Sequence, residues 1–381
     1  MAPTAREIFD STWQKVKTRQ TLVYAILTLA LILLLISSLT VWAKRQALQT
    51  DNWVDTSSQL LQNQQIRDAA AEEMVNALFT QTDIQQRITA ALPADLKPLG
   101  APAVGLVRQA AVPAAEELLA RPFVQKLWQD ANRLAHEKMI AILEGNEDGR
   151  ITTTNGEVTL DLHPLVVQLA SRLGVAADIP SNVGVIPILK SDQLKNAQTT
   201  YRFINFFSVF MVVVVLALLV LAIWLAGGFR REALRFTAIG FVLVGFLILA
   251  ARRIAGHQIV DAVTSQSNRD VGNAVWIIGT SLLKGLALAI VAYGVVLLLG
   301  VWFAGGTRWA VAARGRVAPL VRDHVWMVWT AAAVLFLLLL VWGPVPATQQ
   351  FWGIVFIAAS IILGVEALRR QIVRESAPTT A

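Results

Sequence analysis

The chain has no cysteine among its 381 residues, so neither a disulfide nor a thiolate metal site is open to it, and its redox compartment leaves no mark in the sequence. Histidine is nearly as scarce, with four. His163, His257 and His324 stand far apart, and His136, in a helical stretch beside Glu137, has Ile140 where a zinc-protease motif needs its second histidine. His136 therefore reads as a core or interface residue. No serine-hydrolase elbow or dinucleotide fingerprint is present, and Gly279 to Gly285 holds some residue types of a phosphate loop in the wrong order. Charge is also short, at 15% Asp, Glu, Lys and Arg against roughly 25% in soluble domains. With 55% hydrophobic residues and a mean hydropathy of +0.55, the composition excludes both an ordinary soluble enzyme and a disordered chain.

The apolar excess is gathered in segments that predict six transmembrane helices, at residues 21–43, 203–228, 236–251, 285–307, 325–343 and 351–367. The first, 23 residues long, exceeds the 7–15 of a signal-peptide core and reads as a retained anchor. The uncharged parts of the third and sixth, Phe236–Ala251 and Phe351–Val365, reach only ~24 and ~22 Å at ~1.5 Å per residue, short of a ~30 Å hydrocarbon core. Arg235, Arg252 and Arg253 around the third, and Glu366, Arg369 and Arg370 beyond the sixth, would have to reach for the headgroups. Gly343-Pro344-Val345-Pro346 divides the last long apolar stretch, because two prolines that close end a helix.

Orientation follows from the bases. With the tail 1–20 inside, fourteen Lys and Arg flank the inner ends, including Arg230, Arg231, Arg308, Arg369 and Arg370. Only Arg252, Arg253, Arg269 and Lys284 fall on the short outer connections, so both ends of the chain, 1–20 and 368–381, are expected in the cytoplasm. Residues 44–200 are then exported. They carry 14 bases and 18 acids, whereas the rest of the chain has 19 and 8. The excess of bases lies in short runs beside apolar segments, which suits anionic lipid; nucleic acid is not expected, since no basic run interleaved with aromatics lies on a soluble segment.

The exported segment reads as mainly α-helical with a small β-hairpin or sheet. Gln65–Phe79 places Ile66, Ala70, Met74 and Leu78 near helical spacing, and Pro122–Leu143 aligns Phe123, Leu127, Ala131, Leu134 and Ile140. Residues 151–154 and 157–162 flank Asn155-Gly156, a hairpin signal, and 185–189 reads as a third strand. Glu144 to Gly149, with Ile151, partly matches a calcium loop. It departs at Glu144, where Asp is usual, and at Asn155, where a bidentate carboxylate should close the site, so a polar loop entering the hairpin accounts for the same residues.

Two further features bear on function. Ile223 to Arg230 and Val301 to Arg308 share five of eight residues, Trp, Ala, Gly, Gly and Arg, at the ends of the second and fourth spans. Trp224, Arg230, Trp302 and Arg308 then serve either as convergent interface anchors or as the trace of a duplicated unit of an outward span, an outer element and an inward span, repeated three times, as some transporters have. Within the spans no charge lies centrally; Asn205, Ser208, Thr237, Thr330 and Ser360 are expected to pair between helices. The connection 252–284 concentrates Arg252, Arg253, His257, Asp261, Arg269, Asp270 and Lys284, either as a ligand or docking cluster or as solvated loop charge.

The anchor, Asp51-Asn52-Trp53, Leu127-Trp128, Ala131-Asn132, Ala135-His136, Val158 to Leu162 and Ser191 to Leu194, together with the later spans, make the chain resemble uncharacterised multi-pass membrane proteins of actinobacteria. The likeness covers most of the chain. It implies a bacterial cytoplasmic membrane and an exported helical domain, and brings no catalytic residue. The expectation is a non-catalytic envelope protein, without cofactor or metal, whose residues 44–200 bind or sense an envelope protein, lipid or polymer. The alternative is a component of a transporter or channel whose spans form a path.

Overall fold

A computed structural model of the chain describes residues 5–81, 83–145, 157–161, 167, 171, 185–312, 315–316, 325–342 and parts of 354–370. These residues are overwhelmingly helical. The elements are α1 (Ala5–Leu48), α2 (Thr50–Gln62), α3 (Gln64–Gln81), α4 (Ile84–Ala91), a 3₁₀ turn at Ala94–Leu99, α5 (Gly100–Ala120), α6 (Pro122–Glu144), β1 (Glu157–Asp161) and β2 (Val185–Lys190). They continue with α7 (Ser191–Leu225), α8 (Arg230–Val263), α9 (Arg269–Gly279), α10 (Ser281–Phe303) and α11 (Val325–Trp342). Two compact units result, one of residues 1–40, 209–253 and 282–381, the other of residues 41–208 and 254–281.

Four helices are long and apolar enough to cross a membrane: Lys17–Leu48, Leu194–Leu225, Gly227–Val263 and Ser281–Phe303. They correspond to the first four expected spans. α11 is a further apolar helix of 18 residues, and 351–367 is described only in part. The third span differs from expectation. Its apolar run sits inside the 34-residue α8, so Arg252 and Arg253 lie in mid-helix instead of ending it. Charge marks where a hydrocarbon slab would stop, but it does not break a helix, because Arg has good helix propensity.

In the first unit, Val23, Leu27 and Ala30 of α1, Val215, Leu219, Ala222 and Ala226 at the end of α7, and Ala233 of α8 form a buried cluster. Tyr24 packs edge-on to Phe236, ring centroids 5.2 Å apart. Small residues bring backbones together. A Cβ on Gly245 would lie 2.8 Å from the Ala287 carbonyl, and one on Gly294 2.9 Å from that of Ala238, so α8 and α10 touch at two points one helix can reach only through glycine. Large apolar side chains face outward on every one of these helices, among them Ile32, Val213, Val220, Leu243 and Leu288. A surface of that kind belongs against lipid. Of the polar residues expected to pair between helices, three donate within their own helix: Thr237 Oγ1 to Ala233 O, Thr330 Oγ1 to Trp326 O and, in the second unit, Ser208 Oγ to Asn205 O, while Ser360 lies outside the described residues. A hydroxyl in a helix finds its own preceding turn first.

In the second unit α2 packs on α6, and α3 on α5. Leu61, Ala71 and Leu119 make the centre of one cluster, with Ala115 and Val124 against it. The buried stripe of α3 is Ala71, Val75 and Phe79, while Met74 and Leu78 of the expected stripe are exposed. The two stripes are one residue, about 100° of helix, apart, and packing on α5 selects the second. α6 ends at Gly145, whose φ of +79° lets its N–H turn back to Ile142 O. β1 pairs antiparallel with β2, Glu157 opposite Lys190 and Asp161 opposite Val185. Ile188 is left unmatched beside Pro187, which has no N–H to give. The strand expected at 157–162 is thus joined to the one expected at 185–189. The hairpin expected about Asn155-Gly156 falls on 151–156, which lies outside the described residues.

Candidate functional site

The charged connection is the first candidate, and its residues divide between the two units. Arg252, Arg253 and Lys284 belong to the first unit, and His257, Asp261, Arg269 and Asp270 to the second. Arg253, His257 and Asp261 recur every four residues along α8 and are exposed. Arg269 Nε donates to Asp261 Oδ1 at 2.8 Å, so these two charges are spent on each other. The connection itself is helical, and α9 packs against α2 and α3. The backbone of α8 admits the Trp276 indole at Gly256, and Gly272 of α9 rests on Val260 and Thr264. The connection is therefore a packed clamp on the helical unit.

A second site lies where α1, α2 and α6 meet. α6 buries His136 to 1% exposure. Its Nε2 lies 3.1 Å from Ala47 O and its Nδ1 3.0 Å from Thr50 Oγ1. Since a carbonyl only accepts, Nε2 carries the proton, and in the neutral ring Nδ1 accepts from the Thr50 hydroxyl. Ala47 O is one of the carbonyls that the end of α1 leaves without a helical partner. The Trp53 ring stacks on the imidazole, centroids 5.2 Å apart and 24° from parallel. Burial holds the imidazole pKa below its ordinary value, against the Ala47 hydrogen bond and the Glu137 charge, which raise it. At the rim Arg133 Nη1 meets Asp51 Oδ1 at 2.8 Å, and Trp128 Nε1 donates to Ser57 O at 3.1 Å. This junction fastens the end of α1 to the helices after it. The expected core role of His136 matches its place here.

The two similar octapeptides have matching surroundings in the first unit. Trp224 and Trp302 are exposed at the ends of α7 and α10, Arg230 opens α8, and Arg308 is exposed beyond α10. Gly227, with φ +44°, lies against the Arg19 guanidinium, whose Nε donates to Leu225 O at 2.7 Å. Gly305 lies against the guanidinium of Arg231. Each helix end is thus met by an arginine from the first turns of a preceding apolar helix, where a cation suits the negative end of the helix dipole. One end of the unit consequently gathers Arg19, Arg230 and Arg231. Arg19 and Arg231 were not singled out as cap partners by sequence; only their place before an apolar run hints at it.

Among the described residues no group of three or more His, Asp or Glu could hold a metal ion. Of the partial calcium loop, 146–155 lies outside the described residues, and the Glu144 carboxylate accepts the Tyr201 hydroxyl at 2.7 Å. Comparison with protein-family models, with curated proteins and with solved structures finds no match.

Proposed function

We propose that the chain is a non-catalytic, six-span protein of a bacterial cytoplasmic membrane whose residues 44–200, outside the cell, bind or sense an envelope partner. The observation that carries this reading is the uneven surface of the helical unit. Its interior is packed, yet Met74 and Leu78 on α3 and Leu99, Leu106 and Val107 at and along α5 remain exposed, and we read these side chains, on two helices that pack together, as the contact face. The gathering of Arg19, Arg230 and Arg231 at one end of the apolar unit supports a cytoplasmic placement of that end.

A chain without cysteine suits the test. Gly105, with open space at its Cβ, becomes the single label site in Gly105→Cys. An impermeant maleimide should modify it in intact cells; protection until lysis would reverse the orientation. Replacing Leu99 and Leu106 by Glu should abolish capture of the partner that the native chain retains from its membrane, and unchanged capture would remove α5 as the contact.

The transporter reading remains second. It draws on the correspondence of Arg19 with Gly227 and Arg231 with Gly305, which fits two equivalent out-and-back helix pairs.

A further inference from the structure

The first unit contains a cavity of about 1220 Å³, open on one side where Leu216, Val296 and Leu299 are exposed, bounded by α1, α7, α8 and α10 and lined also by Gly364. Its walls are almost wholly aliphatic and aromatic, with Leu34, Leu216, Phe241, Ile290, Val296 and Leu297 among them, while Arg230 and Arg231 stand at one end. We infer that this cavity holds one anionic phospholipid of the leaflet next to those arginines, its phosphate at Arg230 and Arg231 and its acyl chains along α8 and α10.

Three observations support that occupant. Volume is the first: 1220 Å³ exceeds the ~300–1,000 Å³ of a site for a compact small ligand and suits a two-chain amphiphile. Depth is the second. From Arg231 to Phe241 and from Gly300 to Ile290 the walls run ten residues, ~15 Å of helix, which is half of a ~30 Å hydrocarbon core and so the reach of one leaflet. Chemistry is the third: a guanidinium donates to phosphate through a planar fork and is favoured next to anionic lipid, whereas the rest of the lining offers little to an ion or a sugar. The inference concerns the apolar unit and is independent of what residues 44–200 bind.

The test uses the full chain, purified in detergent and titrated with phosphatidylglycerol or phosphatidylcholine, with bound lipid counted by native mass spectrometry. The wild type should retain phosphatidylglycerol at least tenfold better than phosphatidylcholine. Arg230→Ala with Arg231→Ala should lose that preference. Gly300→Trp, which puts an indole into the cavity from a position with open space at its Cβ, should reduce retention of both lipids about tenfold while leaving the arginines in place. Arg235→Ala, equal in charge but outside the lining, should behave as wild type. Thermal midpoints taken on each variant separate lost lipid from lost fold. Equal retention of the two lipids, an undiminished signal in folded Gly300→Trp, or an equal loss in Arg235→Ala would overturn the site, the last by reducing it to general surface charge.

Discussion

Substituting Gly245 or Gly294 by alanine should separate α8 from α10. The Cβ added at Gly245 meets the Ala287 carbonyl at 2.8 Å, the Val291 nitrogen at 3.1 Å and a Val291 methyl still closer. At Gly294 it meets Val242 Cγ2 at 2.8 Å, Ala238 O at 2.9 Å and Val242 N at 2.9 Å. Non-bonded atoms rest at ~3.5–4.0 Å, so the helices must part by roughly 0.5–1 Å, and a gap of that size forfeits a quarter to a half of each lost contact. Backbone atoms cannot rotate away as a side-chain end can, which places each substitution in the ~1–3 kcal/mol range of overpacking. The assay is the thermal midpoint of the purified chain, lowered by roughly 2–4 °C per kcal/mol. Gly285→Ala, on the same helix with nothing within 4 Å of its Cβ, is the control. The double variant gives the sharper reading: once one methyl has spread the seam, the second costs less, so the double variant should lose less than the sum of the two single losses. Gly245→Ala and Gly294→Ala melting with Gly285→Ala, or fully additive losses, would refute a shared backbone contact.

His136 predicts a pH effect of definite sign. Because burial lowers its folded pKa, the unfolded chain takes up the proton first. Its contribution to stability is whole above ~6.5 and is lost as pH falls from there toward the lowered folded value. Chemical unfolding of wild type and His136→Asn at pH ~7.5 and ~5.5 should show the difference between them narrowing at the lower pH; a constant difference would mean that the ring does not titrate on unfolding. Arg19→Ala should cost about 1 kcal/mol by leaving Leu225 O without its cationic donor, and Arg19→Lys should restore only part of it, read again as a thermal midpoint.

Apolar runs in the sequence located the first four membrane-length helices because the hydrophobic demand of a bilayer is met residue by residue. Where the helices end was less legible. α8 continues for twelve residues beyond Ala251, since a helix leaving lipid can go on in water with another element to pack against, and α9 supplies part of that packing through Gly256 and Gly272. The face of α3 was ambiguous for a different reason: Ile66, Ala70, Met74 and Leu78 compete with Ala71, Val75 and Phe79, both stripes apolar, and only the partner helix decides. The strand at 157–161 announced itself by the alternation of Val158 and Leu160, and that at 185–190 by a short apolar run, but their direct pairing is a long-range choice that no local turn signal encodes. Of the candidate cluster, Asp261 with Arg269 was brought together by the turn between α8 and α9. The junction around His136 could not be read, because its acceptor is a main-chain carbonyl that any residue would provide at position 47.

Lys190 closes β2 and Ser191 opens α7, with no residue between them. A joint so short gives the helix the phase of the strand. Adding or removing one residue there would advance α7 by ~1.5 Å and turn it by ~100°, carrying the Gln198 amide away from Ile142 O and the Tyr201 hydroxyl away from Glu144, now bonded at 2.9 and 2.7 Å. An insertion within 185–202 would therefore break both bonds, and a tag or reporter meant to leave the protein intact belongs elsewhere in the chain.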